Sequence, residues 1–432
     1  LTKPDELDRR SLVLAAASTI VEWYDFTLFL YFATVLSRIF FSGDYAVLTA
    51  MAGFALAYLM RPIGAMVFGH IGDRHGRRTT LLASMALITT AMMLTAMLPT
   101  TAQIGPAAGI LLLLLRCVMG FAVGGEYTGV IAYLLEGAPV ERRGLVTSMA
   151  AATSEIGGLL AAVVAAMAVS FFPTETLEAW GWRLPFLFGG VLAGAVLVVR
   201  GVMKESPIFE ERRDAGTLVA NPLKYTAVHH WRGILRGFSI SALGSIAYYV
   251  GITYIPIYLT SVGHMSEGQS LQIATIAAVA VVVVTPLFGY FADRFGRRPV
   301  LVGLAILSVP LPYLLFGLLA GHSPSGALVG AIILAALAGG ISAVGPVASA
   351  EQVPAEGRLS GLALGNTSAT ALFGGVAPLV AQIVTEKTGW PLVPGLMIAV
   401  VAVAVLPVLF TLPETRPVSR QGATPPRQRS SG

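Results

Sequence analysis

Long apolar runs limit what this chain can fold into more than any other feature. Residues 46–60, 79–98, 107–135, 145–172, 185–203, 271–292, 299–320 and 391–413 are nearly all apolar. With their flanks, most reach the ~20 residues a helix needs to cross a ~30 Å hydrocarbon core. They are continuous rather than alternating, which favours helices over a transmembrane barrel. Composition agrees. The chain is 55% hydrophobic and 12% charged, roughly half the charge of an ordinary soluble domain, with mean hydropathy +0.76. The fold class expected is an all-α membrane protein.

Breaking the runs at charged or Pro/Gly-rich turns predicts twelve spans: 11–40, 46–71, 79–98, 106–134, 145–170, 185–203, 232–260, 269–292, 299–319, 325–349, 359–384 and 391–413. The longest polar connection, 204–231, separates two blocks of six. The expected units are an N-terminal six-helix bundle (1–203), a central cytoplasmic loop (204–231), a C-terminal six-helix bundle (232–413) and a disordered Pro/Ser/Arg-rich tail (414–432). Positive charge is one-sided. If both tails and the loops after even-numbered spans share a side, only Arg38, Arg183 and Lys387 fall opposite, and Arg61 and Arg116 fall within spans. That bias places both termini in the cytoplasm of a multi-pass protein, in a bacterial-type inner membrane. It also explains the net charge of +5 without a nucleic-acid partner. The single cysteine, Cys117, excludes an internal disulfide and any multi-cysteine metal site.

The two blocks repeat. "GHIGDRHGRR" (69–78) follows the second span and "GYFADRFGRR" (289–298) the eighth. "EGAPVERR" (136–143) and "EQVPAEGR" (351–358), after spans four and ten, share E-x-x-P-x-E-x-R. A parallel repeat of two halves implies a pseudo-twofold axis along the membrane normal, with a substrate site between the halves near mid-membrane. The repeated loops carry Asp73, Arg74, Arg77, Arg78, Asp293, Arg294, Arg297 and Arg298. Their charges suit helix ends and neighbouring acids. With Glu136, Arg143, Glu351 and Arg358 they would form a latch on the cytoplasmic side, pairing Glu136 with Arg143 and Glu351 with Arg358 within one layer.

The G-x-x-x-D-R-x-G-R-R loop between spans two and three resembles the signature of the major facilitator superfamily. Within it, "VEWYDF" (21–26), "LMRPIGAMVFGHIGDRHGRR" (59–78), "RCVMGFAVGGEYTGV" (116–130), "WGWRLPF" (180–186) and "ESPIF" (205–209) resemble the metabolite:proton symporter family. Met119 departs from that pattern, which usually has Gln before "GF". The resemblance implies twelve helices in two pseudo-symmetric bundles and uptake of a small carboxylate or zwitterion with a proton as coupling ion. "GGEYTG", "YYVGITYIPIYL" and "FADRFGRRPVL" look most like the proline/betaine branch, and Arg116 more like branches for α-ketoglutarate, citrate and related acids.

A charge at bilayer centre costs ~3 kcal/mol or more, so the few intramembrane charges are candidates for function. Glu22 and Asp25 lie three apart on one helix face. Two near carboxylates in low dielectric favour holding a proton, so both, with Glu126, are candidate proton carriers. Arg116 has the fork that takes a carboxylate in two parallel bonds, with Tyr127 on the same helix face; alternatively it forms a permanent ion pair with Glu126 or Asp25. Glu155 suits a cationic nitrogen. Tyr31, Tyr248, Tyr249, Tyr254 and Asn366 are the remaining candidate substrate contacts, the aromatic ones offering faces to an ammonium group. Arg61, just before Pro62, is expected near the cytoplasmic loop in a gating or structural role.

No Walker loop, G-x-S-x-G or H-E-x-x-H occurs, which argues against an enzyme, an ATP-driven pump, and any cofactor or metal. The expected partners are a small-molecule substrate and membrane lipid, with the chain a monomer. The reading favoured is a proton symporter working by rocker-switch alternating access. A proton-antiport exporter of a drug or metabolite shares the fold and stands as the alternative.

Overall fold

The computed structural model describes residues 9–41, 46–321 and 323–416, and among these the regular elements are all helical. The membrane-spanning elements are α1 (Arg10–Tyr31), α2 (Ala46–His75), α3 (Arg77–Met97), α4 (Ala107–Gly137), α5 (Arg143–Phe171), α6 (Arg183–Arg200), α7 (Trp231–Thr253 continued by Ile255–Ser261), α8 (Glu267–Phe295), α9 (Arg297–Leu307 and Leu311–Ala320), α10 (Pro324–Ala350), α11 (Ala355–Thr388) and α12 (Val393–Phe410). They fall at the twelve places read from the sequence. The bends of 46° in α7 and 44° in α9 coincide with Pro256 and with the Pro310–Pro312 pair, which interrupt the helical ladder.

Each half has its own apolar core. Tyr24, Trp182 and Phe186 are central to the first, and Tyr258, Phe316 and Leu334 to one of two in the second. The outer surface is also apolar: Phe171 and Val198 are 73% and 76% exposed, as side chains facing lipid should be. α2 and α4 touch backbone to backbone. A Cβ on Gly120 would lie 2.0 Å from the Ala57 carbonyl oxygen, and one on Gly124 2.1 Å from that of Arg61. Small residues at such a crossing let helices approach closely.

The turns inside the two repeated loops are Gly76 (φ +111°) and Gly296 (φ +105°), a backbone conformation that side chains with a Cβ rarely adopt. Each glycine turns the chain from α2 into α3 or from α8 into α9. Two expectations need correcting. The 204–231 connection holds two short helices, Pro207–Asp214 and Pro222–His229, N-capped by the side chains of Ser206 and Asn221. The tail does not leave the protein at residue 414: Glu414 accepts hydrogen bonds from the amides of Arg297 and Arg298 at 3.0 and 3.1 Å. Residues 417–432, also expected to be disordered, lie outside the described residues.

Candidate transport site

A cavity of about 150 Å³ lies between the halves, walled by α1, α2, α4 and α5 on one side and α7, α8, α10 and α11 on the other. Helices α3, α6, α9 and α12 contribute nothing to it. Its charged residues are Glu22, Arg61 and Glu155, all from the first half; the second half supplies Tyr248, Tyr249, Asn366 and several hydroxyls. Hydrogen bonds join the two halves here. The Tyr248 hydroxyl donates to Glu155, and the hydroxyls of Tyr58 and Tyr249 are 2.8 Å apart. Trp23 meets Tyr248 edge to face, with centroids 5.6 Å apart. Tyr249 and Asn366 both fall in π-helical turns, Tyr249–Thr253 and Ala363–Thr367, which re-aim side chains within an otherwise regular helix.

The three candidate proton carriers sit in three different settings. Asp25 is held by Arg116, whose Nη1 and Nη2 donate to its carboxylate at 2.7 and 3.4 Å. Arg116 also donates to Thr95 at 3.4 Å and lies 4.9 Å from the Phe29 ring centroid. Glu126 is fully engaged as well. It accepts from Ser18 at 3.2 Å and Ser84 at 2.7 Å and pairs with Arg200 through both oxygens. Glu22 faces Arg61 at 3.7 Å, and neither of its enclosed oxygens has a hydrogen-bond partner.

Several candidates therefore stand elsewhere than expected. Arg116, Asp25, Glu126, Tyr31 and Tyr254 are not in the cavity wall. Arg116 and Asp25 are turned toward each other. Tyr31 is 47% exposed at the far end of α1, and the Tyr254 hydroxyl donates to Gln382. Tyr127, Glu155, Tyr248, Tyr249, Asn366 and Glu22 do line it. Arg61, expected near the loop, is a cavity residue. The sequence did not single out Tyr58, Trp23 or Arg200. Arg200 is 1% exposed because it turns inward to Glu126.

The repeated loops form one network across the halves. Arg77 donates to both oxygens of Glu136 at 3.0 and 2.9 Å and lies 3.0 Å from Asp73. Glu136 also accepts from Arg358, in the other half, at 2.6 Å. Arg297 repeats the pattern with Glu351 and Asp293. Asp73 accepts from the amides of Leu359 and Ser360 at 3.3 and 2.9 Å, and Asp293 from those of Gly144 and Leu145, both at 2.8 Å. The partners differ from those expected: Glu136 pairs with Arg77 and Arg358 rather than Arg143, and Glu351 pairs with Arg297 rather than Arg358. Arg78 donates to the Gly201 carbonyl at 2.6 Å. Arg298 contributes its backbone amide to Glu414. Arg74 and Arg294 are exposed, and Arg143 is half-buried near Arg358 and Glu351. Glu205, which the sequence reading used only as part of a motif, accepts from the amides of Arg77 and Arg78 at 2.8 and 3.1 Å, as Glu414 does in the second half. Burial pushes its carboxyl above the ordinary carboxylate range, against the pull of these amides. The signal available in sequence was a Glu just past each half's last span, in "ESP" and "ETRP".

Residues 11–216 match the family described as "Sugar (and other) transporter" and residues 264–431 that described as "Major Facilitator Superfamily". An ectoine/proline transporter of Corynebacterium glutamicum is 31% identical over 425 residues, covering 93% of this chain and 84% of that protein. The chain belongs to the major facilitator superfamily. Other superfamily relatives include the proline/betaine transporter of Escherichia coli (strain K12), 30% identical over 96% of this chain and 86% of that protein. The citrate-proton symporter of Klebsiella pneumoniae is 30% identical over 91% and 89%. Among superfamily structures, the proton:xylose symporter XylE superposes with TM-score 0.77 at 20% identity, covering 94% and 96% of the two chains. This superfamily member is a membrane-spanning transporter and not an enzyme.

Proposed function

We propose that the chain is a proton symporter that imports a small carboxylate-bearing metabolite, a proline- or betaine-type zwitterion in preference to an organic acid such as α-ketoglutarate or citrate. One observation carries this reading: a small cavity between two homologous halves holds charges of both signs beside aromatic faces. Such a lining suits a solute with a carboxylate and a cationic nitrogen. The volume is below the ~300–1,000 Å³ of pockets for drug-sized ligands, which counts against drug export. The names of the relatives, zwitterion transporters and a citrate-proton symporter, support the same class.

Alternating access follows from the contacts between halves. The face bearing the repeated loops, cytoplasmic by its positive charge, is closed by Asp73, Asp293 and the Glu136–Arg358 pair. Opening inward requires these to part while the halves rock about the cavity. The opposite movement must break the Tyr58–Tyr249 and Tyr248–Glu155 bonds. The Asp25–Arg116 and Glu126–Arg200 pairs lie within one half, so rocking need not break them. The carrier acts as a monomer in a bacterial inner membrane with both termini inside.

Counterflow in proteoliposomes with labelled proline, glycine betaine, α-ketoglutarate and citrate tests this. An inward proton gradient should drive accumulation of at least one; accumulation of none would refute it.

A further inference from the structure

Of the acids in the first half's charge cluster, Glu22 alone is committed to no donor. It is 1% exposed, and both oxygens are enclosed without a partner. Its nearest cation, Nη2 of Arg61, is 3.7 Å away, an ion-pair distance beyond hydrogen-bond reach. Arg61 is incomplete in a matching way. Its Nε and Nη2 are enclosed and lack an acceptor, although its Cζ lies 4.1 Å from the ring centroids of both Phe26 and Tyr58. Nε and Nη2 form one edge of the guanidinium, the fork that receives both oxygens of a carboxylate. Buried charged groups are normally paired and hydrogen-bonded. Here an arginine packed against two rings presents an empty fork, and it shares the cavity wall with an acid that does not fill it.

The surroundings of Glu22 leave it free to exchange a proton. Glu126 and Arg200 face it but neutralise each other. Tyr58 and Tyr249 face it and share their own hydrogen bond. Tyr127 faces both Glu22 and Glu155. A second carboxylate on the Arg61 fork would stand within a few ångströms of Glu22, and in low dielectric the two could not both stay ionised. With Glu22 protonated, the cavity keeps one cation, Arg61, and one acid, Glu155, a balance that matches a zwitterion. A citrate-like trianion would leave charge unmatched.

We propose that Arg61 is the anchor for the substrate carboxylate through its Nε/Nη2 edge, that Glu22 must take a proton before this edge can be occupied, and that the resulting site selects a monocarboxylate bearing a cationic nitrogen. The proton enters on Glu22 from the outward side and leaves when the carboxylate departs inward. This deepens the symport reading and rests on it.

The test uses the full-length chain in proteoliposomes, with glycine betaine and proline as probes at pH 6 and pH 8. In the wild type, betaine affinity should fall about tenfold or more from the lower to the higher pH. Glu22→Gln, the isostere of the protonated acid, should bind equally at both, keep exchange and lose accumulation driven by a proton gradient. Arg61→Lys should raise the half-saturation concentration about tenfold or more. Choline, which keeps the quaternary nitrogen and lacks the carboxylate, should not compete. The anchor is overturned if choline competes as well as betaine or if folded Arg61→Lys stays within about twofold of wild type. The proton role is overturned if Glu22→Gln still concentrates betaine. Should Arg61→Lys fail to fold, choline competition decides the anchor. Wild type that carries citrate but no zwitterion sinks the class assignment and spares the symport reading; wild type that carries none of the four solutes named above sinks both.

Discussion

Asp73 and Asp293 occupy equivalent places in the two halves, and each accepts two backbone hydrogen bonds from the start of a helix in the other half. A carboxylate at a helix N-terminus gains from the dipole as well as from the amides. The closed face is thus held by two symmetric, reversible contacts, which suits a contact broken in every cycle.

Removing one of these contacts should loosen that face. Asp293→Asn keeps the shape and drops the charge, a loss of about 1–2 kcal/mol. Ser148, which a Cβ on Gly289 would touch at 2.3 Å, lies against this seam. In a Cys117→Ser background, Ser148→Cys should react with a thiol reagent several-fold faster when Asp293→Asn is added. An unchanged rate would show that Asp293 does not hold the face shut.

Glu205 and Glu414 should matter to stability although neither approaches the cavity. Each accepts from two backbone amides at the start of the helix after a repeated loop, α3 or α9. Glu414→Ala should cost about 0.5–2 kcal/mol, as loss of a cap does, read as a lower melting temperature in detergent. Glu205→Ala should behave alike because its place is equivalent.

The Asp25–Arg116 pair should show strong coupling. Breaking a buried pair from one side leaves a charge unmatched, at about 3–5 kcal/mol, whereas neutralising both sides costs far less. Asp25→Asn and Arg116→Gln should each lower thermal stability, and the double variant should recover much of the loss. Additive losses in the double-mutant cycle would mean that the two charges do not depend on each other.

Close approach of α2 and α4 should make Gly120 intolerant of one methyl group. Gly120→Ala places a carbon 2.0 Å from a backbone oxygen and forces the helices apart, at about 1–3 kcal/mol. Gly303→Ala, whose new carbon meets nothing within 4 Å, should be neutral or gain up to about 1 kcal/mol from helix propensity. Melting curves of the two variants in one detergent check the contrast.

How much of this was legible beforehand differs residue by residue. The twelve spans were, because a helix in lipid must satisfy its own backbone and shows this as an unbroken apolar run. The two halves were, because "GDRHGRR" and "ADRFGRR" repeat the same charges at the same places. Glu22, Asp25 and Glu126 stood out as charges where charge is costly. What distinguishes them was not visible. Arg116 and Arg61 are both lone arginines in apolar runs, yet one is locked to Asp25 and the other lines the cavity. Arg200, at the end of α6, gave no sign in the sequence that it is the partner of Glu126. Local sequence determines which segments enter the membrane and where charge must be buried, since these depend on hydropathy and charge along the chain. Which acid meets which arginine depends on how α1, α2, α4 and α6 pack and rotate against one another, with glycines at the α2–α4 crossing setting that separation. Only the tertiary structure decided that, and in deciding it left both oxygens of Glu22 without a donor and the Nε and Nη2 of Arg61 without an acceptor.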